Sequence, residues 1–260
     1  MLHSPDIAPM PHSDAPAQAL AWAHTARFFT TASQLNQLPA GDLPELAFVG
    51  RSNAGKSSSI NTLAQRRQLA FASKTPGRTQ HINLFAIGPK DAPDAYLADL
   101  PGYGYATVER GAKLRWQKVM ADYLEVRRNL AGVVLLVDSR HGFTALDERL
   151  LDFITPRVSN GEIKLLVLLT KADKLTKREA QASMQAAQNR LASLATDEAD
   201  IGVLLFSATQ RTGLEDLAET LHAWMQAHPR LAPVTVPPDT SSSAEEPACD
   251  DASDACGDGD

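Results

Sequence analysis

The segment Gly50–Ser57 reads GRSNAGKS and fits the pattern GxxxxGK[S/T], which occurs once in this sequence. An apolar run of strand length, Glu45–Val49, precedes it, and a helix-like stretch, Lys56–Arg66, follows it. A glycine-rich loop between a strand and a helix suits phosphate groups, because the helix directs its N-terminal N–H groups and its dipole at an anion. The pattern therefore predicts a phosphate-binding loop, in preference to a plain glycine turn before an ordinary helix.

Four residues of this phosphate loop have a chemical reason for their type. Gly50 and Gly55 leave room for backbone N–H groups to wrap a phosphate. Lys56 is placed to reach the β- and γ-phosphates, and the hydroxyl of Ser57 is placed to bind Mg²⁺. The loop thus predicts a nucleoside triphosphate with Mg²⁺ as its ligand.

Short apolar runs alternate with longer amphipathic stretches around this loop. Two runs, Val133–Val137 and Ile163–Leu169, are apolar without alternation, which is typical of strands covered on both faces. The alternation predicts an α/β fold with a mostly parallel six-stranded sheet flanked by helices, and such sheets bind ligands at the carboxyl ends of their strands. The predicted strands are Glu45–Val49, His81–Ile87, Ala95–Asp99, Gly132–Asp138, Ile163–Thr170 and Ile201–Phe206. The predicted helices are Lys56–Arg66, Ala112–Asn129, Ala145–Val158, Lys177–Ala195 and Leu214–Ala227.

Composition separates the two ends of the chain from its body. Residues 1–23 are rich in Ala, Pro, His and Ser without sustained periodicity, so we expect a disordered leader. Residues 231–260 carry eight acidic residues and no Lys or Arg, and we expect a disordered acidic tail. The rest of the chain holds 25 basic against 23 acidic residues, so the net charge of −6 belongs to the tail. Residues 24–230 are predicted to form one domain.

The sequence also indicates where the protein works. No apolar run approaches the roughly 20 residues of a membrane helix, and the N-terminus lacks the pattern of a secretory signal. The two cysteines, Cys249 and Cys256, both lie in the acidic tail, which excludes a disulfide-stapled secreted fold. We expect a cytoplasmic monomer that binds neither a membrane nor DNA.

A second candidate motif follows the third predicted strand. Asp99–Gly102 reads DLPG and begins 43 residues beyond Lys56. An Asp at the end of that strand can hold Mg²⁺ through water, and the N–H of Gly102 can contact a γ-phosphate and release it after hydrolysis. Alone, DxxG also marks many turns, and its place two strands after the phosphate loop favours the functional reading.

A threonine-flanked turn lies between these two motifs. Thr75–Gln80 reads TPGRTQ, and a Pro-Gly pair is first of all a loop signal. The functional reading is a switch loop in which a threonine hydroxyl binds Mg²⁺ when the γ-phosphate is present. The residues alone leave Thr75 and Thr79 equally open as that ligand.

Two further loops are candidates for reading a base. Thr170–Asp173 reads TKAD after the fifth predicted strand, and one carboxylate, Asp173, can accept both N1–H and the 2-amino group of guanine. Lys171 can lay its aliphatic stem over the base. Phe206–Ala208, after the sixth predicted strand, can offer a backbone N–H to guanine O6. The ordinary alternative is a helix-entry turn with a surface ion pair.

These motifs together resemble the guanine-nucleotide GTPases. The fuller strings GRSNAGKSS, SKTPGRTQ, LADLPGYGYA and LLTKADKL resemble the EngB family, also called YihA or YsxC, over about residues 24–228. The resemblance implies a Ras-like P-loop GTPase domain of the TrmE–Era–EngA-like group that binds GTP or GDP and Mg²⁺. It also implies a switch role in assembly of the large ribosomal subunit, linked to normal cell division and septation.

Carried over by position, the resemblance assigns Mg²⁺ to Ser57 and Thr79, and so favours Thr79 over Thr75. The residues expected to act at the γ-phosphate are Lys56, Thr79 and Gly102. The implied nucleotide contacts are Gly50, Arg51, Ser52, Asn53, Ala54, Gly55, Lys56, Ser57, Gly77, Arg78, Thr79, Gln80, His81, Asp99, Leu100, Pro101, Gly102, Thr170, Lys171, Ala172, Asp173, Phe206, Ser207 and Ala208.

Two positions bear on the rate of hydrolysis. Ras-like enzymes commonly have Gln directly after DxxG to orient the attacking water, and Tyr103 stands there in this sequence. We therefore expect slow GTP hydrolysis without an activator, with Arg78 or Gln80 as candidate substitutes. Asn53 could hold K⁺ against the phosphates and replace a missing arginine finger, or it could simply brace the loop.

Thr170 is a further departure from the pattern, because the wider motif has Asn at this position. A hydroxyl cannot both donate and accept over the reach of an amide. We expect guanine selectivity to survive through Asp173, with modest affinity.

The region after DxxG is the candidate partner surface. Basic residues interleaved with aromatic rings suit ribosomal RNA, because charge binds phosphate and rings stack on bases. The alternative is a solvated helix face with Trp116 in the core. A second candidate function is a nucleotide-gated binding module for a cell-division partner with little hydrolysis, and a third, a P-loop kinase, is disfavoured by the TKAD loop. The basic residues are Arg110, Lys113, Arg115, Lys118, Arg127 and Arg128.

Overall fold

The computed structural model describes residues 14–39, 42–70, 81–104 and 119–228. Their strands form one sheet in the order β1-β3-β4-β2-β5-β6-β7. The pairs β4–β2, β2–β5, β5–β6 and β6–β7 are parallel, whereas β1–β3 and β3–β4 are antiparallel. The strands are β1 (Arg27–Ala32), β2 (Glu45–Gly50), β3 (Ile82–Ile87), β4 (Ala95–Asp99), β5 (Leu130–Asp138), β6 (Lys164–Thr170) and β7 (Ile201–Leu205).

Helices flank the sheet, so the predicted α/β class is confirmed. Short 3-10 turns cover Leu35–Gln37, Ala172–Lys174 and Ala192–Leu194. The α-helices are α1 (Ala15–His24), α2 (Lys56–Leu63), α3 (described over residues 119–126), α4 (Ala145–Ser159), α5 (Lys177–Leu191) and α6 (Leu214–Ala227). None of the helices in these ranges is both long and apolar enough to cross a membrane.

The unbroken apolar pattern of β5 follows from burial on both faces. Val133, Leu135 and Val137 belong to one buried cluster. Val134 and Leu136 belong to the other. Since successive strand residues point to opposite faces, a strand between two cores has no polar side.

The predicted count of six strands is wrong, because β1 adds a seventh at the sheet edge. This strand, RFFTTA, pairs antiparallel with β3, with an irregularity in register between Phe28 and Thr30. Phe28 and Phe29 are 57% and 46% exposed. The strand therefore shows neither the apolar run of a central strand nor the clean alternation of a half-buried one, and periodicity does not reveal it.

The predicted disordered leader also needs correction, since residues 15–23 lie within α1. The helix packs against α6, and its buried residues are Ala19, Trp22 and Ala23. The ring of Trp22 lies 5.1 Å from that of His222, measured between centroids. Alanine favours helix, and one tryptophan with two small residues suffices for a narrow buried face. Residues 1–13 and the predicted acidic tail, 231–260, lie outside the described ranges.

A buried carboxylate joins three elements at the amino ends of the strands. Glu45, at the start of β2, is fully buried. It accepts hydrogen bonds from Tyr123 Oη at 2.5 Å and Arg127 Nη2 at 2.6 Å. Asn129 Nδ2 donates to it at 3.1 Å. Burial and then the Glu45 charge raise the pKa of Tyr123 well above its usual value, so the phenol stays a donor. The contacts fasten α3 to the sheet, at the opposite end from the phosphate loop.

Candidate functional site

The phosphate loop connects β2 to α2 at the carboxyl end of the sheet. A Cβ on Gly50 would lie 2.8 Å from the carbonyl oxygen of Leu136, so a side chain has no room there. Gly55 precedes α2 with a φ of 98°, a conformation that favours glycine. Asn53 also has a positive φ, 67°, which asparagine tolerates better than most residues. These positions give the loop its shape between the strand and the helix.

Lys56 and Asp99 meet beneath the loop as a buried ion pair. The Lys56 ammonium contacts Asp99 Oδ1, and the two side chains are 8% and 1% exposed. Asp99 ends β4, two strands after the loop in sequence and adjacent to β2 in the sheet. The structure thus brings the predicted phosphate lysine and the predicted second carboxylate together.

The donors at this end of the sheet fit Mg²⁺. Ser57 supplies a half-buried hydroxyl and Asp99 a carboxylate, and Mg²⁺ prefers a few oxygen ligands completed by water and substrate phosphates. The described part of the chain contains no cluster of three or more His, Cys, Asp or Glu able to hold a metal. A metal here would therefore depend on phosphate oxygens.

Backbone hydrogen bonds join the phosphate loop to the DxxG loop, Asp99–Gly102. Ser52 N donates to Tyr103 O at 2.8 Å, and Tyr103 N donates to Gly50 O at 3.2 Å. A Cβ on Gly102 would lie 3.1 Å from Ser52 Cα, so the two loops touch through their backbones. Gly102 accordingly lies against the phosphate loop, and contact of its N–H with a γ-phosphate stays a prediction.

Tyr103 is buried, and its hydroxyl is engaged by a carboxylate of α4. Its side chain is 3% exposed, and its hydroxyl donates to Asp147 Oδ1 at 2.5 Å. Burial and then the Asp147 charge raise the pKa of this phenol far above its usual value. The other Asp147 oxygen, Oδ2, accepts from Thr144 N at 2.7 Å and so caps α4. Tyr103 therefore ties the DxxG loop to α4.

The first base loop, Thr170–Asp173, is bonded to the outer side of the phosphate loop. Thr170 Oγ1 donates to Ala54 O at 2.5 Å, and Lys171 Nζ donates to Asn53 O at 2.7 Å. Since C=O and N–H of a trans peptide point in opposite directions, binding the Ala54 oxygen turns the N–H of Gly55 to the other side. Thr170 thus replaces the usual asparagine with a single donor that supports the phosphate loop.

The two base loops are also joined to each other. Ala172 N donates to Phe206 O at 3.1 Å. Ser207 Oγ donates to Asp173 Oδ1 at 2.8 Å, and this hydrogen bond lowers the pKa of the Asp173 carboxyl. Asp173 is therefore an oriented, ionised acceptor, as reading guanine N1–H and its 2-amino group requires.

Five of the predicted nucleotide contacts are not part of the site as the structure describes it. Gly77, Arg78, Thr79 and Gln80 lie outside the described residues, as do Thr75 and the basic segment 105–118. His81 is described, and its Nδ1 lies 2.8 Å from Ser33 Oγ, just after β1.

Sequence reasoning missed two carboxylates at this site, Asp138 and Asp147. Asp138 ends β5 and pairs with Lys171 Nζ at 2.8 Å. Asp138 is the last residue of β5 and Asp147 lies in the first turn of α4, so their place near the carboxyl end of a predicted strand is the signal that the sequence offers for them.

The parallel sheet, the glycine-rich loop with its lysine, the DxxG loop and the paired base loops define a P-loop GTPase domain. Residues 45–171 match the family model described as 50S ribosome-binding GTPase. The chain is 58% identical over 212 residues to the probable GTP-binding protein EngB of Albidiferax ferrireducens, covering 81% of this chain and 97% of that one. It is also 58% identical over 211 residues to the protein of the same name from Acidovorax ebreus, covering 81% and 92%. The chain belongs to the EngB family of GTP-binding proteins.

Solved structures confirm the fold. A crystal structure of a probable GTP-binding protein EngB aligns with a TM-score of 0.55 at 21% identity, covering 71% of this chain and 100% of that one. Era of Aquifex aeolicus, bound to GDP and AlF4⁻, aligns with a TM-score of 0.58 at 20% identity, covering 74% and 59%. The predicted Ras-like P-loop fold and the family resemblance are confirmed, while the roles of individual residues stay predictions.

The Thr170 hydroxyl offers a direct test of this architecture. Thr170→Val keeps the side-chain shape but leaves the Ala54 carbonyl without its donor. We expect the free energy of unfolding of the nucleotide-free protein to fall by about 1–2 kcal/mol, measured by urea denaturation. Thr220→Val is the control, because its hydroxyl donates at 2.7 Å to Asp216 O on the surface of α6. Equal losses in the two variants would contradict a special role for Thr170.

Proposed function

We propose that this chain is a cytoplasmic GTPase switch that acts in assembly of the large ribosomal subunit, with a link to cell division and septation. The observation that carries the proposal is the direct bonding of the phosphate loop to both the DxxG loop and the first base loop. The relatives are named as GTP-binding proteins, and the matching family model is described as a 50S ribosome-binding GTPase, which supports the ribosomal partner.

The chain's own groups divide the work at the phosphates. Lys56 leaves its pairing with Asp99 to bind the β- and γ-phosphates, and backbone N–H groups of the phosphate loop surround them. Ser57, Thr79 and, through water, Asp99 would hold Mg²⁺, which would neutralise charge on the phosphate oxygens. The N–H of Gly102 contacts the γ-phosphate, so its loss on hydrolysis releases the DxxG loop.

Base selectivity rests on Asp173 in this proposal. Asp173→Asn replaces one acceptor oxygen with an N–H₂ donor, which faces the donors of guanine but suits the C2 carbonyl of xanthine. We expect GTP affinity to fall about 100-fold and XTP affinity to rise, measured by nucleotide competition. Asp197→Asn, an exposed change in the α5–β7 connection, should alter neither affinity. Unchanged GTP binding by the Asp173 variant would contradict this role.

In this proposal the side chain that follows Gly102 does not orient the attacking water, so hydrolysis depends on other groups. Tyr103 is bound to Asp147, so it cannot orient the attacking water. Asn53 is exposed, and its side chain makes no hydrogen bond within the described ranges, which favours a K⁺ ligand over a loop brace.

We therefore expect slow GTP turnover by the protein alone, with a rate about tenfold or more higher in K⁺ than in Na⁺ at equal ionic strength. Phosphate release under single-turnover conditions measures both rates. Equal rates in the two salts would remove the potassium role, and fast turnover in either salt would contradict the slow-switch proposal.

The ribosomal role is tested by co-sedimentation with large subunits in three states: a non-hydrolysable GTP analogue, GDP and no nucleotide. We expect the analogue to give the most binding, because it keeps the γ-phosphate that Thr79 and Gly102 are proposed to sense. No binding in any state would contradict the ribosomal partner. Such a result, together with retained GTP binding, would favour a nucleotide-gated module for a cell-division partner.

A further inference from the structure

The Lys171 ammonium is held by two contacts from different parts of the chain. Its ammonium lies 2.7 Å from the carbonyl oxygen of Asn53 and 2.8 Å from Asp138 Oδ2. The Lys171 side chain is 31% exposed and that of Asp138 is 14% exposed. One lysine thus bridges the phosphate loop and the end of β5 while its backbone belongs to the first base loop.

Asp138 is itself immobilised by Arg140. The Arg140 guanidinium donates from Nε to Oδ1 at 2.9 Å and from Nη2 to Oδ2 at 2.7 Å, and the Arg140 N–H donates to Oδ1 at 3.2 Å. Burial alone would raise the pKa of Asp138, but the hydrogen bonds from Arg140 and Lys171 outweigh it and lower the pKa below its usual range. The carboxylate therefore stays charged, with both oxygens occupied and its orientation fixed.

This fixed carboxylate matters because lysine is intrinsically mobile. A lysine side chain has four rotatable bonds, and ordering it costs free energy that otherwise weakens binding. The backbone of Lys171 also has a positive φ, 59°, which a non-glycine residue keeps only when its surroundings hold it. The Asp138 contact supplies part of that hold from within the protein.

We infer that Asp138 is a positioning residue for guanine nucleotide: it fixes Lys171 over the base and couples the first base loop to the phosphate loop. The inference rests on the proposed function, since it assumes that Lys171 covers the base. Its consequence is kinetic, because loosening Lys171 removes a contact from the bound state and so speeds release of the nucleotide.

A second Lys–Asp ion pair, at the other end of β6, provides a control, although its Asp200 carboxylate is more exposed than Asp138. Lys164 Nζ and Asp200 Oδ2 lie 3.3 Å apart at the start of β6, whereas Lys171 follows its end. Asp200→Asn makes the same chemical change as Asp138→Asn, but at the end of β6 that lies away from the phosphate loop. A general effect of removing one ion pair would appear in both variants.

The experiment measures dissociation of fluorescently labelled GDP from the full chain by stopped flow. We expect Asp138→Asn to release GDP about tenfold faster than the wild type, and Asp200→Asn to match the wild type. Arg140→Gln, which leaves the carboxylate in place but frees it, should speed release about threefold. Urea midpoints of the nucleotide-free proteins establish that the variants are folded, and the Arg140 variant tests the same coupling should Asp138→Asn prove unfolded.

A double-mutant cycle with Lys171→Ala separates positioning from a merely structural effect. If Asp138 acts through Lys171, the double variant releases GDP no faster than Lys171→Ala alone. Two results would overturn the inference. One is release of GDP from Asp138→Asn at the wild-type rate, and the other is a double variant in which the two increases in release rate multiply. A wild-type protein that does not bind labelled GDP would overturn the proposed function first, which is a distinguishable result.

Discussion

The hydrogen bonds on the outer side of the phosphate loop are the constraint on which the site depends. A loop that binds a polyanion through backbone N–H groups must hold its shape while some of those groups stay available to the ligand. Thr170 and Lys171 meet this need by binding the carbonyl oxygens of Ala54 and Asn53. These two bonds hold the loop through acceptor oxygens and use none of its N–H groups, and they also fix the end of β6 to the loop.

The parts of the fold that follow from strong local patterns could be predicted from the sequence. The continuous apolar run of β5 indicates a strand between two cores, and the predicted bounds of α6 agree with the structure. β1 and α1 were not predicted, because the elements against which they pack, β3 and α6, are distant in sequence. Two half-exposed phenylalanines and an alanine-rich segment carry little periodicity of their own, and tertiary packing decides their structure.

The residues of the site likewise divide into those that could be predicted from the sequence and those that could not. Backbone-binding motifs such as Gly50–Ser57 have fixed spacing, because one short loop must satisfy one ligand, and that spacing is readable. Asp138 and Asp147 act on side chains far along the chain, Lys171 and Tyr103, so no local spacing marks them. Tyr103 shows the limit of motif comparison. Its place after DxxG predicts that it does not orient the attacking water, but only the packing shows that it binds α4 through Asp147.

The buried pairing of Lys56 with Asp99 would link the binding of a phosphate thermodynamically to the binding of a divalent metal ion. Phosphate that takes Lys56 leaves a buried carboxylate without its cation, and a divalent ion is the natural replacement. A cation that binds Asp99 likewise leaves the Lys56 ammonium without an anionic partner. Each ligand therefore removes the electrostatic penalty of binding the other, and reciprocity requires that the cooperativity be equal in both directions. A buried pair of opposite charges therefore favours a phosphate and a divalent ion bound together over either one bound alone.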